Sequence, residues 1–420
     1  MPGLNIAPAI VEIEFVESSV TSNFVLDDPV RGVLNNTTYL LGGAVWNDVT
    51  SRAYRTNIDR GKNQALARYN AGTMSVTLDN EDAIFDPTIP AGTSGYPYAG
   101  QIVPGKRVRV TVGTEVQFLG VIQDWNLDYP LGGRATATIS AADAFVQLAN
   151  RSLAADTFPT SLSSTMLTTV LDQPEVAFDS SLRDIGTGVT TLQETTVELG
   201  TNVLTFAQLI EASEPGSLFV SKDGFLTFRS RRYNPTYSGA IIITDDGTSV
   251  TPRSIEVEYG SELLYNRATI TREGGTTQVF DDASSQAEYG IFAYSASGLL
   301  MNSDAVALSM AQYYANTFGE PVFRPRRVII DMAAQTGSNQ GLLQALDIDD
   351  LVLIKFTPPG GLLIEKYMNV AGIHHRIAPG THVIDMDLID AQEQAMTYGD
   401  AAIAPEDQPL SLLDSNRYGF

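Results

Sequence analysis

The chain has 420 residues, 43% of them hydrophobic, with no cysteine and with 49 acidic against 26 basic side chains, for a net charge of −23. That is apolar material for two or three cores, and it excludes disulfides and thiolate metal sites, an apolar run long enough to span a membrane as a helix and a basic footprint for holding nucleic acid. The acid excess grows along the chain, −5 over residues 1–150, −6 over 151–250 and −12 over 251–420, which suits solubility or, more sharply, a surface that DNA passes without sticking.

Met1-Pro2-Gly3-Leu4-Asn5 lacks a basic segment followed by an apolar stretch, so no signal peptide and cytoplasmic synthesis are expected. From there the dominant signal is β. Val11 to Val16, Met74 to Leu78, Val108 to Val112 and two runs between Val257 and Ile270 alternate apolar and polar, as half-buried strands do. Turn chemistry separates them at Asp86-Pro87, Pro104-Gly105, Leu131-Gly132-Gly133, Asp245-Asp246-Gly247, Glu273-Gly274-Gly275 and Pro379-Gly380.

Three helices interrupt this pattern. The first is expected over 163–172, with Leu162, Met166, Leu167, Val170 and Leu171 on one face and Asp172-Gln173-Pro174 as its stop. The second is expected to start at Thr205 as N-cap and run from Phe206 to Ala212. The third spans 303–318, capped by Ser303 and ended by Gly319 and Pro321. A hairpin follows the second helix, with Leu218-Phe219-Val220 and Phe225 to Phe228 flanking Ser221-Lys222-Asp223-Gly224. The expected division is a first β domain over 1–150, an inserted α+β module over 151–250, a second β domain over 251–397 that carries the helix near 303–318, and a C-terminal tail over 398–420 that orders on contact with a neighbour.

Two distant segments echo each other. Gly133 opens a strand that leads to Asp143-Ala144, and Gly380 opens one that leads to Asp390-Ala391. Upstream lie Gly120 to Trp125 in the first case and Gly372 to Arg376 in the second, and before these Val108 to Val110 and Leu351 to Lys355. The echo reads either as the common spacing of antiparallel meanders or as two copies of one β domain with diverged loops.

The motifs that carry chemistry fail on inspection. Gly100 to Arg107 begins like a phosphate-binding loop, but Arg107 stands where a Ser or Thr hydroxyl is needed and a strand follows instead of a helix. His374 and His375 point to opposite faces of a strand; His375 and His382 can meet across a hairpin, but a third metal ligand is missing. The acidic groups Asp347, Asp349, Asp350 and Asp385, Asp387, Asp390 lack the glycine and terminal Glu of a calcium loop. No nucleophile elbow occurs. A glycosidase pair has acids to draw on but, with only Trp46 and Trp125, no aromatic cluster for sugar. No catalytic, cofactor-binding or metal-binding residue is assigned.

Asn57 to Gly61, Leu66 to Tyr69, Ala71-Gly72-Thr73, Leu78-Asp79-Asn80, Phe85-Asp86-Pro87, Tyr98-Ala99-Gly100 and Val103 to Val108 follow one another in an order that resembles the N-terminal part of minor tail proteins of siphophages infecting actinobacteria, a tail-hub, or baseplate-hub, group. The helix and hairpin over 206–232, ending Leu226 to Arg231, and Asp282 to Gly290 resemble the same group. The resemblance covers about residues 50–395. It implies a mainly β fold with an inserted α+β module and two related β-barrel domains of tail-hub type. It also implies a structural, non-enzymatic role at the virion tail tip. Three copies would form a homotrimeric ring that meets the distal tail protein or the tail tube ring and contacts the tape-measure protein and other minor tail proteins. DNA would be present only in transit, during ejection. The alternatives are a distal-tail or receptor-contacting tip protein and a tail-associated cell-wall hydrolase.

Overall fold

The computed structural model describes residues 6–15, 45–231 and 240–391. The first described strands are β1 (Ala9–Phe15), β2 (Val45–Asp48), β3 (Ala53–Gly61), β4 (Asn70–Asp79), β5 (Arg107–Val112), β6 (Glu115–Asp128) and β7 (Thr136–Ala142). Alternation decides which face is buried. Along β4, Met74, Val76 and Leu78 go inside while the residues between them stay near the surface. They meet Ile58, Phe85, Val108, Val110, Phe118 and Ile139 in a first core. Asp143 then caps a short helix, α1 (Ala144–Ala149), by accepting from Phe145 N–H.

An α+β module follows: β8 (Asp156–Phe158), β9 (Ser161–Leu162), α2 (Ser163–Leu171), β10 (Arg183–Ile185), β11 (Thr191–Leu192), β12 (Thr195–Val197), α3 (Val203–Ala212), β13 (Ser217–Val220) and β14 (Leu226–Arg229). Met166, Leu167, Val170, Phe206, Ile210, Leu218 and Phe228 form its own core. The first helix and the hairpin lie where the sequence pattern puts them. The second helix starts earlier than expected, at Val203. Asn202, not Thr205, is its N-cap, and Asn202 Oδ1 accepts from Thr205 N–H at 3.0 Å. Starting there turns Val203 fully into the core.

The rest of the chain holds β15 (Ile241–Thr244), β16 (Ser254–Glu258), β17 (Arg267–Arg272), β18 (Gln278–Asp281), α4 (Ala283–Tyr289), β19 (Ala293–Leu299), α5 (Asp304–Thr317), β20 (Arg324–Asp331), α6 (Gly337–Ala345), β21 (Leu351–Phe356), β22 (Ile364–Ala378) and β23 (Thr381–Asp390). Helix α5, with Ser303 as its cap, packs on a separate three-stranded sheet, β18-β17-β19, around Ile270, Met310, Ala311 and Phe318. This α+β unit interrupts the second run of strands, whose own core contains Val328, Ile330, Val352, Ile354, Val370 and Met386. The tail expected over 398–420 lies outside the described residues.

Both runs of strands join in one sheet of 13 strands, ordered β16-β20-β23-β22-β3-β4-β7-β6-β5-β1-β2, with β21 pairing β22 and β15 pairing β21. The order β3-β4-β7-β6-β5 is matched by β16-β20-β23-β22-β21. The match extends to a defect. Ile122 pairs Ala141 and Asp124 pairs Ser140, so Gln123 bulges. Val370 pairs Leu388 and Gly372 pairs Asp387, so Ala371 bulges. Counted back from Asp143 and from Asp390, the bulge falls opposite the same step. Asp79 and Asp331, which end β4 and β20, each accept from the N–H two residues on, at 3.1 and 3.0 Å. Gly133 and Gly380 are in register with this correspondence. Gly120 and Gly372 are not: the bulge places Gly372 opposite Asp124 in the correspondence, so that part of the sequence echo is off by several residues.

Candidate functional site

The two runs meet where β3 pairs antiparallel with β22, Thr56 opposite Ile377 through Gly61 opposite Gly372. Two glycines face each other at the end of this seam because the backbones touch. Gly61 sits at φ +102°, and a Cβ on it would lie 2.2 Å from the Ala371 carbonyl oxygen. The contact allows Lys62 N–H to donate to Ala371 O at 2.9 Å.

Histidines sit on both faces of the seam, one charged and two neutral. His374 on β22 reaches Asp59 of β3 through Nδ1 and Asp387 of β23 through Nε2, both at 3.0 Å. An imidazole that donates from both nitrogens is an imidazolium. Burial pushes its pKa down, but Asp387 and Asp59 more than offset this, and the net direction is up. On the opposite face His375 Nδ1 and His382 Nε2 are 3.0 Å apart. Their other ring nitrogens are buried without a hydrogen-bond partner. Burial holds both neutral: His375 is driven well down, and His382 falls to about 4.

A second knot ties in the inserted module. Buried Arg60 donates from Nη1 to Asp347 Oδ1 at 2.7 Å, and Lys222 N–H donates to Asp347 Oδ2 at 2.8 Å. Lys222 Nζ donates to the carbonyls of Gln344 and Ala345, each at 2.8 Å, and to Glu115 Oε2 at 3.2 Å. Gln117 Nε2 reaches the same Gln344 carbonyl at 2.9 Å. The Ser221 to Gly224 hairpin tip, which the sequence presents as an ordinary surface turn, is thus wedged between both β runs. Asp350 Oδ2 accepts from Asp347 N–H at 2.7 Å, and burial pushes its carboxyl up to about 6. Asp143 accepts from Gly72 and Phe145 N–H; burial raises it to about 7, while those two amides and nearby Arg60 pull the other way.

The two acidic groups singled out in the sequence are engaged in polar contacts inside the chain. Asp385 takes Arg327 in a two-point contact, Asp387 takes His374, and Asp390 takes Lys366 at 3.2 Å. Among the described residues no group of three or more His, Asp or Glu is arranged to hold a metal ion. Arg52 pairs with Asp82, Arg60 with Asp347, Arg324 with Glu258 and Arg327 with Asp385 and Glu256, all within one chain. Gly105, at φ +89°, turns the chain into β5, so Gly100 to Arg107 leads into a strand and not into a helix; β4 and β5 on either side of it do not pair, so it is not a hairpin turn. Arg109 and Arg107 lie over the Trp46 ring at 4.6 and 5.4 Å, and Trp125 Nε1 donates to Val103 O. Sequence reasoning missed Lys222 and Gln117, because nothing local marks a turn lysine or a strand glutamine as buried. It also missed an aromatic cluster made by tyrosines far apart in the chain, Tyr265, Tyr294, Tyr313 and Tyr314.

No family model matches the chain. No curated protein matches it either. Among solved structures, the 43 kDa tail protein of prophage MuSo2 from Shewanella oneidensis is similar in fold, with a TM-score of 0.58 and 14% identity over 92% of this chain and 98% of that one. The tail protein from Neisseria meningitidis MC58 is similar too, with a TM-score of 0.55 and 12% identity over 84% of this chain and 96% of that one. The chain therefore has a mainly β fold that is found in phage tail proteins.

Proposed function

We propose that this chain is a structural, non-enzymatic component of a phage tail tip, a hub of the kind that its sequence resembles in siphophages of actinobacteria. The observation that carries the reading is the doubled strand order with its doubled bulge, in a fold it shares with two tail proteins. In this reading residues 1–150 and 251–397 hold two copies of one β unit, the second interrupted by the α5 module, and 151–250 is an insertion whose last strand, β15, joins the sheet of the second unit. Three chains then present six β units. They form a ring that meets a six-fold tail tube or distal tail protein and lets the tape-measure protein and DNA pass. The net charge of −23 keeps phosphates from adhering to such a conduit.

The seam inside the chain supplies a template for the joint between chains. Among the described residues strand β16 stands at the end of the sheet path with one edge unpaired, and β6 beyond Val121 has no β5 partner. By the strand correspondence β16 is the counterpart of β3, and β6 that of β22. Thr56 maps to Ile255 through their partners Val76 and Val328, and Ile377 maps to Tyr129. The β16 edge of one copy should therefore pair antiparallel with β6 of the next, Ile255 opposite Tyr129. Closing the ring in this way covers both open edges.

The chain has no cysteine, so a cross-link reports this contact without background. Ile255→Cys with Tyr129→Cys, oxidised in assembled tips, should give a covalent trimer, while each single variant gives none. A chain that stays monomeric in assembled tips, or links into six identical copies, would overturn the trimer.

A further inference from the structure

A cavity of about 330 Å³ opens between the inserted module and the α5 unit, away from the seam. Its size suits a small ligand rather than a strand or helix. Tyr294, Tyr313, Tyr314 and Phe318 line it, with ring centres 4.4 Å apart for Tyr294 and Tyr314 and 5.3 Å for Tyr313 and Tyr314. Glu211 of α3 lines it as well. Glu211 is only 8% exposed, yet its carboxylate makes no hydrogen bond or ion pair among the described residues. Arg68, on the β3–β4 connection, lines the same cavity with its guanidinium likewise in no direct pair, and Lys62 lies beside it. Burial pushes the Glu211 carboxyl up to about 7, while Lys62 and Arg68 pull it down and Asp349 adds to the rise.

An unpaired carboxylate this deeply buried is costly unless something brings donors to it. Lys62 and Arg68 oppose an incoming cation. Ionised Glu211, with Asp349 behind it, opposes an incoming anion. What remains is a neutral molecule with several hydroxyl donors and an apolar face for the tyrosine rings, which themselves carry an apolar body and a polar tip. We propose that this cavity binds a neutral saccharide, with C–H faces against Tyr294 and Tyr313 and hydroxyls donating to Glu211 and accepting from Arg68.

Saturation-transfer NMR on the full chain at about pH 8, where Glu211 is mostly ionised, tests this. The neutral probes are galactose, arabinose and N-acetylglucosamine; galacturonate and the permanently cationic 2-deoxy-2-trimethylammonio-glucose are the charged ones. The expected result is transfer from tyrosine ring protons to at least one neutral sugar, with its charged analogue bound about tenfold more weakly or worse. Glu211→Gln keeps the volume and removes the charged acceptor, and should weaken binding by about tenfold or more. Ser297→Trp, at an exposed position of β19 that lines the cavity, should abolish binding without disturbing a core. No transfer to any neutral sugar, equal binding of the charged sugars, or binding untouched by Ser297→Trp would each overturn the proposal. Ring closure is read from the cross-link and does not depend on this outcome.

Discussion

At the scale of single residues, three histidines within nine positions of one hairpin have opposite fates. His374 sits between two carboxylates, and His375 and His382 are buried against each other. Their signs differ accordingly. The folded pKa of His374 is raised, so its contribution is present below the ordinary histidine value of 6.5 and is lost as pH rises through the folded pKa. The folded pKa of His382 is depressed from 6.5 to about 4, so its contribution is present above 6.5 and is lost as pH falls toward 4. That loss amounts to about 3 kcal/mol for His382. Urea midpoints measured from neutral to acid pH should therefore fall less steeply in a His375→Leu, His382→Leu double variant than in the wild type. An equally steep acid limb would show that carboxylates, not this pair, control it.

At the scale of elements, the β3–β22 seam depends on a backbone contact more than on any side chain. Gly61→Ala adds a Cβ 2.2 Å from a carbonyl oxygen at φ +102°, and backbone cannot move aside as a flexible side chain can. The expected cost is about 3 kcal/mol or more. Gly105 is a matched control, at φ +89° with nothing within 4 Å of the added atom, and Gly105→Ala should cost only about 1–2 kcal/mol. Thermal or urea unfolding of the two variants separates conformational strain from collision. If they lose the same stability, the close approach at Gly61 is not what matters.

At the scale of the whole molecule, the proposed joint between copies carries a charge conflict. Extending the pairing of Ile255 with Tyr129 by one residue places Glu256 opposite Asp128, whereas the matching place within the chain holds Asn57 opposite Arg376. Like charges directly opposite one another destabilise a strand pair. Purified chains should therefore remain apart at low ionic strength and associate as salt screens the pair, with the change concentrated near about 0.1 M, where the Debye length is about 10 Å. Asp128→Asn should shift association to lower salt. Sedimentation that showed salt dispersing a preformed trimer would contradict the edge pairing and favour a joint made by opposite charges.

Much of this architecture is written locally. Period-two alternation marked β1, β4 and β5, since a half-buried strand must alternate. Stop residues and apolar stripes marked α2 and α5, and Gly380 after Pro379, at φ +78°, marked the β22–β23 turn. The Gly133 and Gly380 echo led to the doubled strand order because a turn and its register fix which face is buried. Other features depend on residues far apart in the chain. The second β run is split by a separate sheet under α5, and alternation cannot tell which strands pair. Asp347 meets Arg60 across most of the chain, and Lys222 leaves its hairpin tip for a buried cradle, because partners for a charge are chosen by packing. The tyrosine wall near Glu211 joins residues from β19 and α5 with a helix of the inserted module. Composition set what the chain could not be, and periodicity set which elements form. Only the tertiary structure decided which charges are neutralised inside the molecule and which remain for a ligand or a neighbour, since burial and pairing are properties of the whole packed chain.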